Sequence, residues 1–207
     1  MRQILSQRWP WLVFVIAVAL LAQAMYMPLK AMAAQILLEY AWQQTLDSGV
    51  QHRPWPWADT TTLAKIEFPQ HNRQYVVLSG STGQSLAFGP GHLDGSRLPS
   101  ESGHMVISGH RDTHFALLEY VEIGETIHIH TERGDIKTYQ VVSSVVVDSD
   151  KQQLNLDHDK QKLTLVTCYP FDALHSGGPL RLRIDAQLTQ THNYAQYLQS
   201  PSTALEI

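Results

Sequence analysis

Three residues far apart in the chain carry side chains suited to acyl transfer: Cys168, His110 and Arg181. Cys168 is the only cysteine among 207 residues. It ends the apolar, β-branched run Leu163-Thr164-Leu165-Val166-Thr167, and Tyr169-Pro170 follow it. Proline has no N–H for a strand ladder, so the thiol is expected where a strand leaves its sheet. A lone cysteine is usually a small buried hydrophobe. Catalysis requires a neighbouring base or cation that favours the thiolate. The chain has eleven histidines, so setting rather than residue type singles out His110. It follows the apolar strand His104–Ser108 and Gly109, and Arg111-Asp112-Thr113 lead away from it. A histidine there is either a surface loop residue or the missing base. The cation comes from Leu180-Arg181-Leu182-Arg183-Ile184, which alternates strictly. Leu180, Leu182 and Ile184 are expected to face the core, with both arginines on the other side. The connection Tyr169–Pro179 holds Asp172, His175, Gly177 and Gly178, composition that suits a loop between neighbouring strands. Arg181 or Arg183 would then lie beside the Cys168 strand. A guanidinium there suits a developing oxyanion, and an ordinary surface ion pair is the competing reading.

The elements that must hold these residues are short apolar runs separated by turns. Leu63–Phe68, Tyr75–Ser79, His104–Ser108, Glu125–Thr131, Thr138–Val147, Lys162–Cys168 and Leu180–Asp185 all read as strands. The Gly80 to Gly91 stretch and the Glu132-Arg133-Gly134-Asp135 turn separate them, and one short helix is expected around Thr113–Tyr120. This spacing predicts a compact all-β barrel or sandwich over residues 59–187. The tail 188–207 is polar, carries Pro201, and is expected to be loosely held.

Ahead of the β-rich region, Trp9 to Leu29 is apolar apart from Gln23 and a proline near each end, long enough for one membrane span. Arg2 and Arg8 precede it and Lys30 follows, which places the N-terminus in the cytoplasm by the positive-inside rule. Ala22-Gln23-Ala24 and Ala31-Met32-Ala33 resemble signal-peptidase sites, but Trp9, Trp11 and Tyr26 suit the interfaces of a retained anchor. Residues 1–30 are thus read as cytoplasmic tip and anchor. Residues 31–58 are read as a helix ending at Asp47-Ser48-Gly49, followed by the extended segment His52-Arg53-Pro54-Trp55-Pro56-Trp57. A net charge of −4 with no basic stripe gives no case for nucleic acid, and one cysteine excludes an internal disulfide.

The runs Thr164-Leu165-Val166-Thr167-Cys168 and Ser108-Gly109-His110-Arg111-Asp112-Thr113, with Arg181 opening the last strand, together resemble the sortase family of cysteine transpeptidases. The pattern spans about Leu63 to Asp185 and is most similar to class D and Gram-negative sortases, the latter also in Trp55-Pro56-Trp57-Ala58-Asp59-Thr60. The resemblance implies a closed eight-stranded β-barrel with a Cys–His–Arg site, here behind the transmembrane helix; no cofactor or metal is expected. It implies cleavage of an LPxTG-like sorting signal between Thr and Gly. Cys168 would form a thioester with the threonine carbonyl, and His110 would protonate the leaving amine and deprotonate the incoming one. Arg181 would hold the oxyanion, with the Tyr169 backbone N–H and Thr167 as further donors. The partners implied are a sorting-signal protein and an amine acceptor such as a peptidoglycan precursor. The implied place is the bacterial inner membrane, single-pass, with the catalytic domain facing the periplasm. Of the two arginines, Arg181 matches the family's strand-opening position.

Other readings weigh less. His128 and His130 share a strand face but lack a third ligand at metal spacing, so they are read as solvated strand histidines. Asp148, Asp150, Asp157 and Asp159 are read as a charged loop rather than a calcium site. An L,D-transpeptidase or other envelope cysteine hydrolase is disfavoured, because Thr167 rather than glycine precedes the cysteine. A non-catalytic anchored β domain remains the third reading.

Overall fold

The computed structural model describes residues 2–173 and 177–193, and the chain divides into two units, Met1–Leu37 and Leu38–Ile207. A single helix, α1 (Arg2–Ser48), runs from the first unit into the second and contains Pro10 and Pro28. In the first unit its large apolar side chains are exposed, among them Trp11, Phe14, Leu20, Met27 and Met32. An apolar surface of this kind on a helix suits lipid, and membrane helices tolerate interior prolines. The span Trp9–Ser48 is long and apolar enough to cross a membrane.

In the second unit the end of α1 changes character. Leu38, Ala41, Trp42 and Thr45 are buried at helical spacing, so one face docks while the other stays wet. Leu38 and Trp42 form a small core with Val76 and Leu78, against which Leu46 and Phe88 also pack. The Thr45 hydroxyl donates to the Ala41 carbonyl at 2.9 Å and meets the Thr62 hydroxyl at 2.7 Å. Gly49, at φ +67°, ends the helix where the sequence placed its stop. In the Pro/Trp segment Trp55 meets Phe88 edge-on at 4.9 Å, whereas Trp57 is exposed.

Eight strands close the barrel: β1 (Thr62–Phe68), β2 (Arg73–Ser79), β3 (Gly91–His92), β4 (His104–Ser108), β5 (Thr126–Thr131), β6 (Asp135–Asp148), β7 (Lys162–Cys168) and β8 (Leu180–Asn193). Their order around the barrel is β1-β2-β3-β4-β7-β8-β6-β5. Most neighbours are antiparallel, but β4 and β7 run parallel, which brings two distant strand exits to the same rim. The interior follows the alternation of the sequence: Ile127 and Ile129, Leu163 and Leu165, and Leu182 and Ile184 all enter one core. Leu180 departs from its expected inward position. It is the first residue of β8, at the rim, and is 36% exposed.

Three other expectations change. The two-residue β3 has too few residues for a periodic pattern to signal it. The helix expected at Thr113–Tyr120 is a short 3-10 turn, Ala116–Glu119. Its Phe115 and Leu118 enter the core, so tertiary burial sets this segment's path more than helix propensity does. The last strand runs past the expected Asp185 to Asn193, paired with Asp135 of β6. Beyond Asn193 the polar tail lies outside the described residues, as does His175.

Candidate active site

Cys168 is the last residue of β7 and is half-buried. Leu163, Leu165 and Thr167 point into the barrel, so strand alternation sends Lys162, Thr164, Val166 and Cys168 to the outer face. Directly across the antiparallel ladder, Cys168 pairs with Arg181 and Val166 with Arg183. Opposed residues share a face, so thiol and Arg181 guanidinium emerge on the same side.

His110 arrives from the other flank of β7. Ser108 is the register partner of Val166, and the Gly109 N–H donates to the Val166 carbonyl at 3.1 Å. The parallel register ends at Ser108, two residues before His110, and on the other side at Val166, two residues before Cys168. The His110 imidazole is exposed. The segment is held from both sides. The buried Thr167 hydroxyl donates to the Gly109 carbonyl at 2.8 Å, and the His110 carbonyl accepts from the Phe115 N–H at 3.1 Å. A Cβ on Gly109 would lie 2.7 Å from the Phe115 ring, which explains why a glycine precedes the histidine.

The two arginines differ in their surroundings. The Arg183 Nε lies 3.3 Å from an Asp185 carboxylate oxygen, an ion pair without an aligned hydrogen bond. Arg181 has no carboxylate within ion-pair reach among the described residues. One of its terminal nitrogens donates to the Gly178 carbonyl at 2.5 Å and to the Leu180 carbonyl at 2.8 Å. Its Nε and other terminal nitrogen have no protein acceptor among the described residues.

The further oxyanion donors expected from sequence are otherwise engaged. The Tyr169 N–H donates to the Leu180 carbonyl at 3.0 Å, continuing the β7–β8 ladder, and the Thr167 hydroxyl faces inward to Gly109. Their bonds hold the backbone on either side of the thiol instead.

Beneath the same outer face lies a buried polar chain whose roles fix one another. The Asp157 N–H donates to His104 Nδ1 at 3.3 Å, so Nε2 carries the imidazole proton and reaches the Thr164 hydroxyl at 2.8 Å. That hydroxyl donates to Asp185 at 2.7 Å, and Lys162 pairs with the same carboxylate at 3.0 Å. Burial, first of all, holds His104 below the ordinary imidazole range and keeps the ring neutral. Another histidine, His114, meets Tyr75 edge-on at 5.4 Å. Burial lowers its pKa, and the charge of His110 adds to the effect.

Elsewhere, His130 pairs with Glu67 at 2.7 Å and His128 bonds the Thr138 hydroxyl at 3.1 Å. Asp148 and Asp157 pair with Lys151 and Lys160, each at 2.9 Å. No group of three or more His, Cys, Asp or Glu side chains among the described residues is arranged to hold a metal.

The family model for the sortase domain matches residues 66–189. The chain belongs to the sortase family. Sortase D of Bacillus subtilis (strain 168) is 36% identical over 107 residues, which cover 51% of this chain and 54% of that protein. The chain thus matches about half the length of that curated relative, and a class D assignment fits it. Among solved structures, Sortase A from Corynebacterium diphtheriae is similar at TM-score 0.57 and 30% identity, covering 65% of this chain and 63% of that one. A Clostridium perfringens Sortase D5 transpeptidase is similar at TM-score 0.55 and 27% identity, covering 73% of this chain and 89% of that one. The closed barrel of this sortase is the fold expected from the resemblance. Arg111 is what the sequence left without a task. It stands in the Gly-His-Arg motif, but nothing in residue spacing reveals that it is buried or what it binds.

Proposed function

We propose that this sortase is a membrane-anchored cysteine transpeptidase that cleaves an LPxTG-like sorting signal between Thr and Gly and passes the acyl group to an amine. The observation that supports it is the pair of registers around β7: the antiparallel one sets Cys168 opposite Arg181, and the parallel one ends two residues before both His110 and Cys168 at one rim.

In this reading the Cys168 sulfur adds to the threonine carbonyl carbon, and the carbonyl oxygen takes the negative charge. The Arg181 donors that lack protein acceptors face that charge, while its remaining nitrogen is fixed by the Gly178 and Leu180 carbonyls. Thr167 and Tyr169 act as positioning groups, given the bonds they already make. His110 gives its proton to the glycine nitrogen as the C–N bond breaks, leaving a thioester. It then takes a proton from the incoming amine, whose nitrogen attacks the thioester and releases the thiolate, restoring the starting protonation of both groups. The half-exposed setting of the thiol admits both peptide and acceptor. The apolar N-terminal helix would tether the enzyme to the inner membrane, with the barrel on the outer side.

The test is ligation. The full-length protein in detergent is incubated with LPxTG-type peptides and candidate amines, and products are read by mass spectrometry. The proposal predicts threonine joined to the amine, with the glycine-side fragment released, and no product from Cys168→Ala. Cleavage at another bond, or product from Cys168→Ala, would overturn it.

A further inference from the structure

Arg111 is a charged residue only 7% exposed, and all three of its guanidinium nitrogens are engaged. The Nε donates to Asp112 at 2.8 Å, one terminal nitrogen donates to the Pro170 carbonyl at 2.6 Å, and the other to the Ala173 carbonyl at 3.1 Å. These partners lie on both sides of the site. Arg111 is joined by a peptide bond to His110, whereas Pro170 and Ala173 belong to the segment that leaves Cys168. One side chain therefore bridges the exit of β4 to the exit of β7, at the rim where the strand ladder has ended. The Ala173 N–H in turn donates to the Pro170 carbonyl at 3.4 Å, so the fork closes on a compact turn rather than on a loose loop.

We propose that Arg111 is a positioning residue, whose guanidinium fork locks the Pro170–Ala173 turn to the His110 segment and thereby fixes the imidazole relative to the Cys168 thiol. The inference rests on the transpeptidase reading for its kinetic consequence, but not for its geometric one. Among the described residues no backbone hydrogen bond links the two exits beyond that from Gly109 to Val166, so the fork is the tie that acts past the end of the ladder. A displacement of about 1 Å between reacting groups costs on the order of 100-fold in rate. Charged hydrogen bonds from a planar fork resist such displacement in two directions at once. An ammonium has the charge but not the rigid pair of donors. The positive charge also lies within electrostatic range of the thiol: after Asp112, both Cys168 and Asp172 favour the charged guanidinium.

The test uses full-length protein carrying Arg111→Lys or Arg111→Gln beside the parent, with three readouts. Peptide cleavage gives kcat and KM, iodoacetamide alkylation of native Cys168 across pH needs no sorting peptide, and thermal melting reports the folded fraction. The proposal predicts that Arg111→Lys stays folded with kcat reduced on the order of 10-fold or more and KM changed by less than about 3-fold. It further predicts that native Cys168 in Arg111→Gln is alkylated at a rate different from the parent's, because the Pro170–Ala173 turn that leaves the thiol is no longer held. Parent-like kcat and alkylation in both variants would overturn it, as would activity that falls only in step with the folded fraction. Absence of peptide turnover in the parent would count against the transpeptidase reading alone, and the alkylation profiles would still decide the role of Arg111.

Discussion

At Cys168 the ladder discriminates between two arginines that strand alternation alone leaves equivalent. Strict alternation in Leu180–Ile184 puts Arg181 and Arg183 on one face, and nothing local ranks them. Ranking comes from two facts of the folded state: Cys168 faces Arg181 across the ladder, and Arg183 is drawn to Asp185. Arg181→Ala should therefore lower peptide turnover by about 100- to 1,000-fold, the usual loss for an oxyanion donor. Arg183→Ala should lower it far less and act chiefly on stability. Steady-state rates and melting curves of the two variants, compared side by side, check this. The opposite order would reassign the oxyanion role. The positions of Cys168 and His110 at strand exits were legible because an apolar run leads to each. The engagement of Thr167 with Gly109 was not, since it depends on which way one hydroxyl turns inside a barrel. Thr167→Val keeps the shape and removes that bond. It should cost about 1–3 kcal/mol of stability, because the buried Gly109 carbonyl loses its partner, and should reduce kcat through His110. Urea denaturation and initial rates measure the two effects separately.

Strands of five or more residues carried enough alternation to be read directly, and β4 and β7 have the expected limits. Elements defined by partners rather than by pattern were hidden. The two residues of β3 are a strand only because β2 and β4 flank them, and β8 extends only because β6 is equally long. The last turns of α1 are a further case. Ile36, Leu37, Tyr40, Ala41 and Gln44 recur at helical spacing, but of these only Ala41 is buried, and the docked face is Leu38, Ala41, Trp42 and Thr45. Trp42 is 1% exposed and central to the smaller core. Trp42→Ala should destabilise the barrel by about 3–5 kcal/mol, which a thermal melt would register as a drop of several degrees or more. An unchanged melt would mean that the end of α1 contributes nothing to the fold. The polar chain His104–Thr164–Asp185 was equally invisible, since its members come from three strands and each looks ordinary alone.

For the molecule as a whole, the buried imidazoles set a direction for acid sensitivity. His104, His114 and His128 lie below the ordinary imidazole range, each chiefly because burial disfavours the charged ring. Their folded pKa values are lower than their unfolded ones, so the unfolded chain binds protons that the native protein does not. Stability should hold above neutral pH and fall as pH drops below about 6.5. Glu67, held low first of all by its hydrogen bond with His130, adds a second loss below the ordinary glutamate value of about 4.3. Melting temperatures between about pH 8 and about pH 2 should show this two-stage decline, and a melting temperature that rises between about pH 7 and pH 5 would contradict it. The barrel class and the N-terminal apolar helix were legible because both rest on patterns tens of residues long. The proposed meeting of thiol, imidazole and guanidinium rests on register, which no local pattern encodes. That meeting is tested most directly by trapping the acyl-enzyme: an LPxTG-type peptide is mixed with the full-length protein, the reaction is quenched in acid, and the adduct is located by peptide mapping. The account predicts the peptide's threonine carbonyl attached to Cys168, with the adduct depleted in Arg181→Ala and absent in His110→Ala. An adduct on another residue, or one that forms equally well without His110 and Arg181, would contradict it.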